Sequence, residues 1–189
     1  MDGKVIIFSA PSGSGKSTII NLLLKKFPQL EFSISATSRS PRGQEKNGVE
    51  YYFLSTEEFA AKVKAGEFVE WEEVYSGTCY GTLRSEIDRI WTKGNIILFD
   101  IDVLGALNMK KLFGDKALSL FVMPPSIEEL GRRLRSRGTD SPETIGKRLA
   151  KAEAEIAHAG NFDAVIVNDD LAAAVQEAET LIERFIQTP

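Results

Sequence analysis

The sequence predicts an α/β fold, with a parallel central sheet flanked by helices. Strand-like and helix-like segments alternate along most of the 189 residues, the pattern of α/β domains. Four of the strand-like segments are near-continuous apolar runs, as expected of parallel strands covered by helices on both faces. The first of these runs breaks directly into a glycine-rich loop and then a helix.

That first run is Val5–Ser9, and behind it stand Ala10, Pro11, Ser12, Gly13, Ser14, Gly15, Lys16, Ser17 and Thr18, with a helix over 16–26. Such a loop points backbone N–H groups inward, and the helix adds the positive end of its dipole, so the pair cradles polyphosphate. Lys16 reaches the outer phosphates, and the Ser17 hydroxyl is placed to ligate Mg²⁺. Gly13 and Gly15 let the backbone approach the phosphates. The pattern G-x-x-x-x-G-K-[ST] is met except at its first glycine, which falls on Ala10. That change is harmless where φ is negative and damaging where a left-handed backbone is required.

Strands follow at Phe32–Ser35, Glu50–Leu54 and Glu67–Val74, the last two more polar and suited to a half-exposed antiparallel patch. Ser38–Gly48, the longest polar stretch containing Gly and Pro, reads as a mobile loop. Ser55 with Glu58, and Ser126 with Glu129, are capping boxes that start helices. Further helices are expected at 82–93, 102–113, 141–159 and 170–186, with Ser141 as N-cap and Pro142 at the first helical position. The other apolar strands are Asn95–Asp100, Ala117–Met123 and Ala164–Val167.

A chain of this length that is 43% hydrophobic buries one good core, not two independent ones. No apolar run approaches the roughly 18–20 residues of a membrane span. Met1-Asp2-Gly3-Lys4 enters the first strand at once, which leaves no room for a signal peptide. A single cysteine, Cys79, excludes an internal disulfide framework and fits a reducing compartment, so a cytoplasmic location without membrane attachment is expected. A net charge of −4 suits long polyanions poorly, so nucleic acid is not expected as a partner. Small phosphorylated ligands need only local clusters of positive charge.

Asp100-Ile101-Asp102 closes an apolar strand, and residues two apart on a strand face the same way. In open α/β sheets that C-terminal edge is where ligands bind. Two readings stand: support of a Mg²⁺ shell beside the phosphate loop, or a cap for the helix from Val103. Ser35–Arg42 brings Arg39 and Arg42 together with hydroxyls and a proline, and arginine forks match phosphate oxygens. Arg132, Arg133, Arg135, Arg137 and Arg148 form a third cluster, in which Arg133 and Arg137 share a helix face.

In this ordered set the chain resembles the guanylate kinase family, over essentially its whole length. Beyond the phosphate loop, the resemblance rests on Ser35–Arg42, Asn47-Gly48 followed by Tyr51, Phe68–Trp71, Tyr80-Gly81-Thr82, Asp100-Ile101-Asp102, Arg137-Gly138-Thr139, Lys147-Arg148-Leu149 and Val165–Asp170. It implies a P-loop NTPase fold and one domain over 1–189, with a core of 1–34, 89–125 and 158–189. A small mixed α/β GMP-binding region at 35–88 and an arginine-rich helical lid at 126–157 complete it. The implied activity is transfer of the ATP γ-phosphate to GMP, and to dGMP, with Mg²⁺ as cofactor.

Carried over by position, Arg39, Arg42, Tyr51 and Tyr80 hold the GMP phosphate. Ser35, Glu70, Thr82 and Asp102 read guanine, with Asp100 also in the GMP site. ATP is held by residues 10–18 and, at its adenine end, by Asn168. The implied catalytic set is Lys16, Arg39, Arg133, Arg137 and Arg148, with Mg²⁺ on Ser17 and, through water, on Asp100. Guanine agrees chemically, because its N1–H and 2-amino donors suit a carboxylate such as Glu70, and its O6 accepts from a hydroxyl. Arg132 and Arg135 fit a solvated helix face, His158 is given no catalytic role, and Trp71 is expected behind the guanine pocket. Leu104 stands where the family often has glutamine. A scaffold module without chemistry and a kinase for another mononucleotide are the rival readings.

Overall fold

The computed structural model describes residues 3–75, 77–138 and 140–188, so Thr139 of the Arg137-Gly138-Thr139 motif lies outside the described residues. Strand β1 (Val5–Ser9) is buried along its whole length. Its side chains alternate between two cores: Val5 and Ile7 enter one, Ile6 and Phe8 the other. A strand that feeds a core on each face must lie in a covered sheet. The sheet is parallel throughout, in the order β2 (Leu30–Phe32), β7 (Ile96–Asp100), β1, β8 (Ala117–Met123), β9 (Ala164–Val167). Helices α3 (Arg84–Trp91) and α4 (Val103–Phe113) cover one face, and α1 (Lys16–Lys26) and α7 (Leu171–Gln187) the other.

A second sheet orders β4 (Tyr52–Phe53), β3 (Ala36–Thr37), β6 (Thr78–Leu83) and β5 (Phe68–Tyr75), with α2 (Thr56–Lys64) packed on it through Phe59. Two helices, α5 (Ile127–Ser136) and α6 (Pro142–Ile156), form a pair around Leu130, Leu134, Ile145 and Ala152. These two small cores are separate from those of the central sheet.

Several expectations are corrected here. The strand expected at Phe32–Ser35 straddles a crossing: β2 ends at Phe32 in the central sheet, and β3 begins at Ala36 in the second. The region expected to start a helix at 82 is still strand, because β6 runs to Leu83 and α3 begins at Arg84. The expected antiparallel patch is mixed: β6 pairs antiparallel with β3 and β5, while β4 lies parallel to β3. Ser55 and Glu58 make both halves of their capping box. At Ser126 only one half forms, because the Glu129 carboxylate accepts from Arg132 and Arg133 instead. Charged donors outcompete a backbone N–H for a carboxylate. The helix expected over 141–159 stops at Ile156, ahead of a 3₁₀ turn at Ala159–Asn161, so His158 lies beyond it.

Phe99 sits 1% exposed in the core beneath α4. Replacing Phe99 with Ala should lower the unfolding free energy by about 3–5 kcal/mol, read from urea denaturation.

Candidate functional site

At the C-terminal edge of the central sheet, the loop between β1 and α1 opens into a cavity of about 350 Å³. The loop forms one end. Ser35, Tyr51, Glu70, Tyr80 and Gly81 line the other, and Asp100, Ile101 and Asp102 lie between. One continuous space therefore joins a phosphate cradle to a pocket in the second sheet.

The loop is shaped by its own hydrogen bonds. The N–H and hydroxyl of Ser14 both donate to the Pro11 carbonyl, at 3.1 and 2.8 Å. Gly13 and Gly15 have φ of 101° and 90°. Among the described residues every positive φ belongs to a glycine, so Ala10 adopts an ordinary backbone and its departure from the pattern is harmless. A Cβ at Gly15 would also collide with Asn168. The buried Asn168 donates its Nδ2 to the Ser14 carbonyl at 2.6 Å, bracing the loop from behind.

Three cations near this loop, Lys16, Arg133 and Arg148, are paired with carboxylates. Lys16 Nζ is paired with Asp100. Arg133 donates to Glu129 at 2.8 Å and to the Asn168 carbonyl at 3.0 Å. Arg148 reaches across to the Ser12 hydroxyl at 2.6 Å while remaining beside Asp140. Arg137, at the end of α5, lines the cavity. Ser17 also lines it, with an exposed side chain at the start of α1. Of the two sequence readings, Asp102 shows the helix cap. It caps α4 by accepting from the N–H groups of Leu104 and Gly105, and it faces the cavity.

In the second sheet, Glu70 on β5 pairs across the ladder with Thr82 on β6, whose hydroxyl donates to the carboxylate at 2.8 Å. Glu70 is buried, and a Cβ at Gly105 would stand 2.9 Å from Glu70 Oε2 and 3.3 Å from Asp102 Oδ2. The bare glycine thus leaves the room into which both carboxylates reach. Burial pushes the Glu70 carboxyl up to about 7, and the charges of Asp102 and Glu72 add to this, against the Thr82 hydrogen bond.

Arg39 is gripped by Glu45 through two bonds of 2.7 and 2.9 Å, donates to the Tyr80 hydroxyl at 3.2 Å, and lies over the Tyr51 ring at 4.9 Å. The Arg39 pair holds Glu45 down at about 2. Burial pushes the Tyr51 phenol above its usual value. Arg42 is exposed and bonds Glu45 through its backbone N–H.

The residues at 10–18, Ser35, Tyr51, Glu70, Tyr80, Asp100, Asp102 and Arg137 are therefore brought together, with Thr82 and Arg39 in contact with them. The side chains of Arg42, Arg133, Arg148 and Asn168 lie outside the cavity lining. Trp71 does not back the pocket: strand alternation turns it to the other face of β5, half exposed against Phe59. Leu104 lines a neighbouring cavity of about 220 Å³ beside His158 and is not in the lining of the main cavity. Sequence reasoning missed Glu45 and Glu155. Glu155 lines the main cavity and has its pKa raised by burial. It follows Arg148 by seven residues, and that helical spacing was the available signal.

The family model for guanylate kinase matches residues 2–185. The chain is 58% identical over 186 residues to a guanylate kinase of Bacteroides thetaiotaomicron, covering 98% of this chain and 91% of that protein. It is 56% identical over 184 residues to one from Porphyromonas gingivalis, covering 97% and 98%. A crystal structure of guanylate kinase from Anaplasma phagocytophilum superposes with a TM-score of 0.78 at 32% identity, covering 98% of this chain and 87% of that one.

The burial of Glu70 predicts a carboxyl that titrates near pH 7 in the ligand-free protein, followed by NMR of the labelled side chain. Thr82→Val removes the donor that favours the charged form, so its midpoint should move upward.

Proposed function

The chain belongs to the guanylate kinase family and is an enzyme that transfers the ATP γ-phosphate to GMP, and we propose that the cavity just described is where both substrates meet. The observation that carries the assignment is the placement of a buried carboxylate and a phosphate cradle at opposite ends of one space. Guanine offers N1–H and its 2-amino group to Glu70, and its O6 to the hydroxyl of Ser35 or Thr82. Adenine would aim an N1 lone pair at the same carboxylate. A site built on such hydrogen bonds rejects the mismatched analogue by roughly 10⁴-fold. dGMP carries the same base edge and phosphate, and is proposed as a second acceptor.

Arg39, Arg42, Tyr51 and Tyr80 take the GMP phosphate, which is already ionised near neutral pH and needs no general base. Lys16 exchanges Asp100 for the outer phosphates of ATP. Arg133, Arg137 and Arg148 neutralise charge spread over the transferring group, and one arginine in that role is worth about 10³-fold or more in rate. Asn168 stands at the adenine end of ATP, while its Nδ2 braces the loop through the Ser14 carbonyl. The region 35–88 and the helix pair within 126–157 act as the GMP-binding part and the lid of one domain, consistent with their separate small cores. Closure excludes water and aligns the two phosphates.

Mg²⁺ fits the oxygen donors present. Among the described residues no group of three or more acidic or imidazole ligands forms, whereas Mg²⁺ in kinases rests on one or two protein oxygens plus phosphates and water. The Ser17 hydroxyl, and Asp100 through water, would hold it, and its charge would polarise the phosphates. Among the described residues no helix is long and apolar enough to cross a membrane. The single cysteine and the acidic balance support a cytoplasmic enzyme without nucleic-acid partners.

Assaying GMP, dGMP, AMP, UMP and TMP side by side with ATP tests this reading. GMP and dGMP should turn over, and AMP should trail by several orders of magnitude; equal use of AMP would refute the guanine assignment. Lys16→Met should abolish transfer in a folded protein. Glu70→Gln should cut kcat/KM for GMP by about 10–100-fold, the worth of a hydrogen bond to a charged group, with the KM for ATP unmoved.

A further inference from the structure

A second buried carboxylate, unrelated to the cavity lining, stands where the chain leaves the central sheet. Glu86, in the first turn of α3, is 1% exposed. Its Oε1 accepts from the Ile34 N–H at 2.8 Å, and its Oε2 from the Tyr52 hydroxyl at 3.1 Å. The Tyr52 N–H in turn donates to the Ser35 carbonyl at 2.9 Å. Glu86, Ile34, Ser35 and Tyr52 thus form a closed ring of hydrogen bonds. Arg89 completes the carboxylate's shell through Nε at 2.9 Å and Nη2 at 2.7 Å, and is itself paired with Glu31 on β2. Lys93 and Asn95 each donate to Glu31 at 2.7 Å.

The location gives the ring its meaning. Residues 33–35 are where the chain passes from the central sheet into the second sheet, and α3 is where it returns. Ser35 and Tyr51, the neighbour of Tyr52, both line the cavity at the end opposite the loop. A buried ionic cluster is a poor device for stability alone, since apolar residues of equal volume serve as well. It does fix geometry when every lone pair is used.

We propose that Glu86 is a positioning residue for GMP: its carboxylate holds Ser35 and Tyr51 at fixed places relative to the central sheet and the phosphate loop. The proposal rests on the reading that Ser35 and Tyr51 contact GMP. Glu86 acts through Ile34 and Tyr52 and does not touch the substrate.

Steady-state kinetics and equilibrium titration with GMP test it on Glu86→Ala, Glu86→Gln and Tyr52→Phe. Glu86→Ala should raise the KM and Kd for GMP by about tenfold or more, as expected for a buried hydrogen bond to a charged group. The KM for ATP, and kcat at saturating GMP, should stay within about twofold. Glu86→Gln should fall between the parent and Glu86→Ala, because its amide oxygen still accepts from Ile34 and its amide N–H reaches the Tyr52 oxygen. Tyr52→Phe breaks one arm of the ring and should raise the GMP constants by a smaller factor. If Glu86→Ala does not fold, Glu86→Gln and Tyr52→Phe decide alone. Folded variants that bind GMP like the parent, or that weaken ATP and GMP equally, overturn the proposal. A parent protein that leaves GMP unphosphorylated overturns the functional reading instead, so the two failures are told apart.

Discussion

A carboxylate held in a buried place among other carboxylates is the constraint around which the site is organised. Glu70 has a hydroxyl for a partner, and the charges acting on it, from Asp102 and Glu72, are of its own sign. Such a group resists ionisation until donors arrive. The antiparallel register of β5 and β6 sets Thr82 opposite it, and Gly105 leaves it space at the start of α4. Asp102 is fixed there because it caps the same helix. The Glu70 end of the cavity is thus an unfinished set of hydrogen bonds, which a ligand with two adjacent donors would complete.

The cations around the cavity follow the opposite logic. Four of them are paired with a carboxylate: Lys16 with Asp100, Arg39 with Glu45, Arg133 with Glu129 and Arg148 with Asp140. A phosphate offers each cation the same sign of charge and the same kind of oxygen acceptor as the carboxylate it displaces, so the cation stays paired through the exchange. The guanidinium forks keep their shape through the exchange, which favours bidentate contact with phosphate oxygens. Pairing in the resting protein keeps cations of an arginine-rich site oriented without leaving them repelling one another.

Much of this was legible in the sequence where the cause is local. The run Val5–Ser9, the glycines at 13 and 15 and the helix at 16–26 need only near neighbours, and each is found as expected. Asp102 caps the helix from Val103, as one of its two sequence readings expects, and also lines the cavity. Features set by distant partners were not legible. Strand β6 owes its form to β3 and β5 on either side, and its Gly81 and polar residues mask it as a strand. Glu86 takes its meaning from Ile34 and Tyr52, far away along the chain. Glu129 reads as half of a capping box until the arginines three and four residues on are seen to claim it.

The most direct test of the central claim is proton release when GMP binds. In the proposed complex, donors from guanine stabilise the ionised carboxylate, so Glu70, which burial pushes up to about 7, should lose its proton on binding. Calorimetric titration with GMP at pH 7, in buffers of differing ionisation enthalpy, should report release of about half a proton, rising toward one as pH falls to about 6. The same titration on Glu70→Gln should lose that release. Equal proton release by the parent and by Glu70→Gln, with GMP bound in both, would contradict the account.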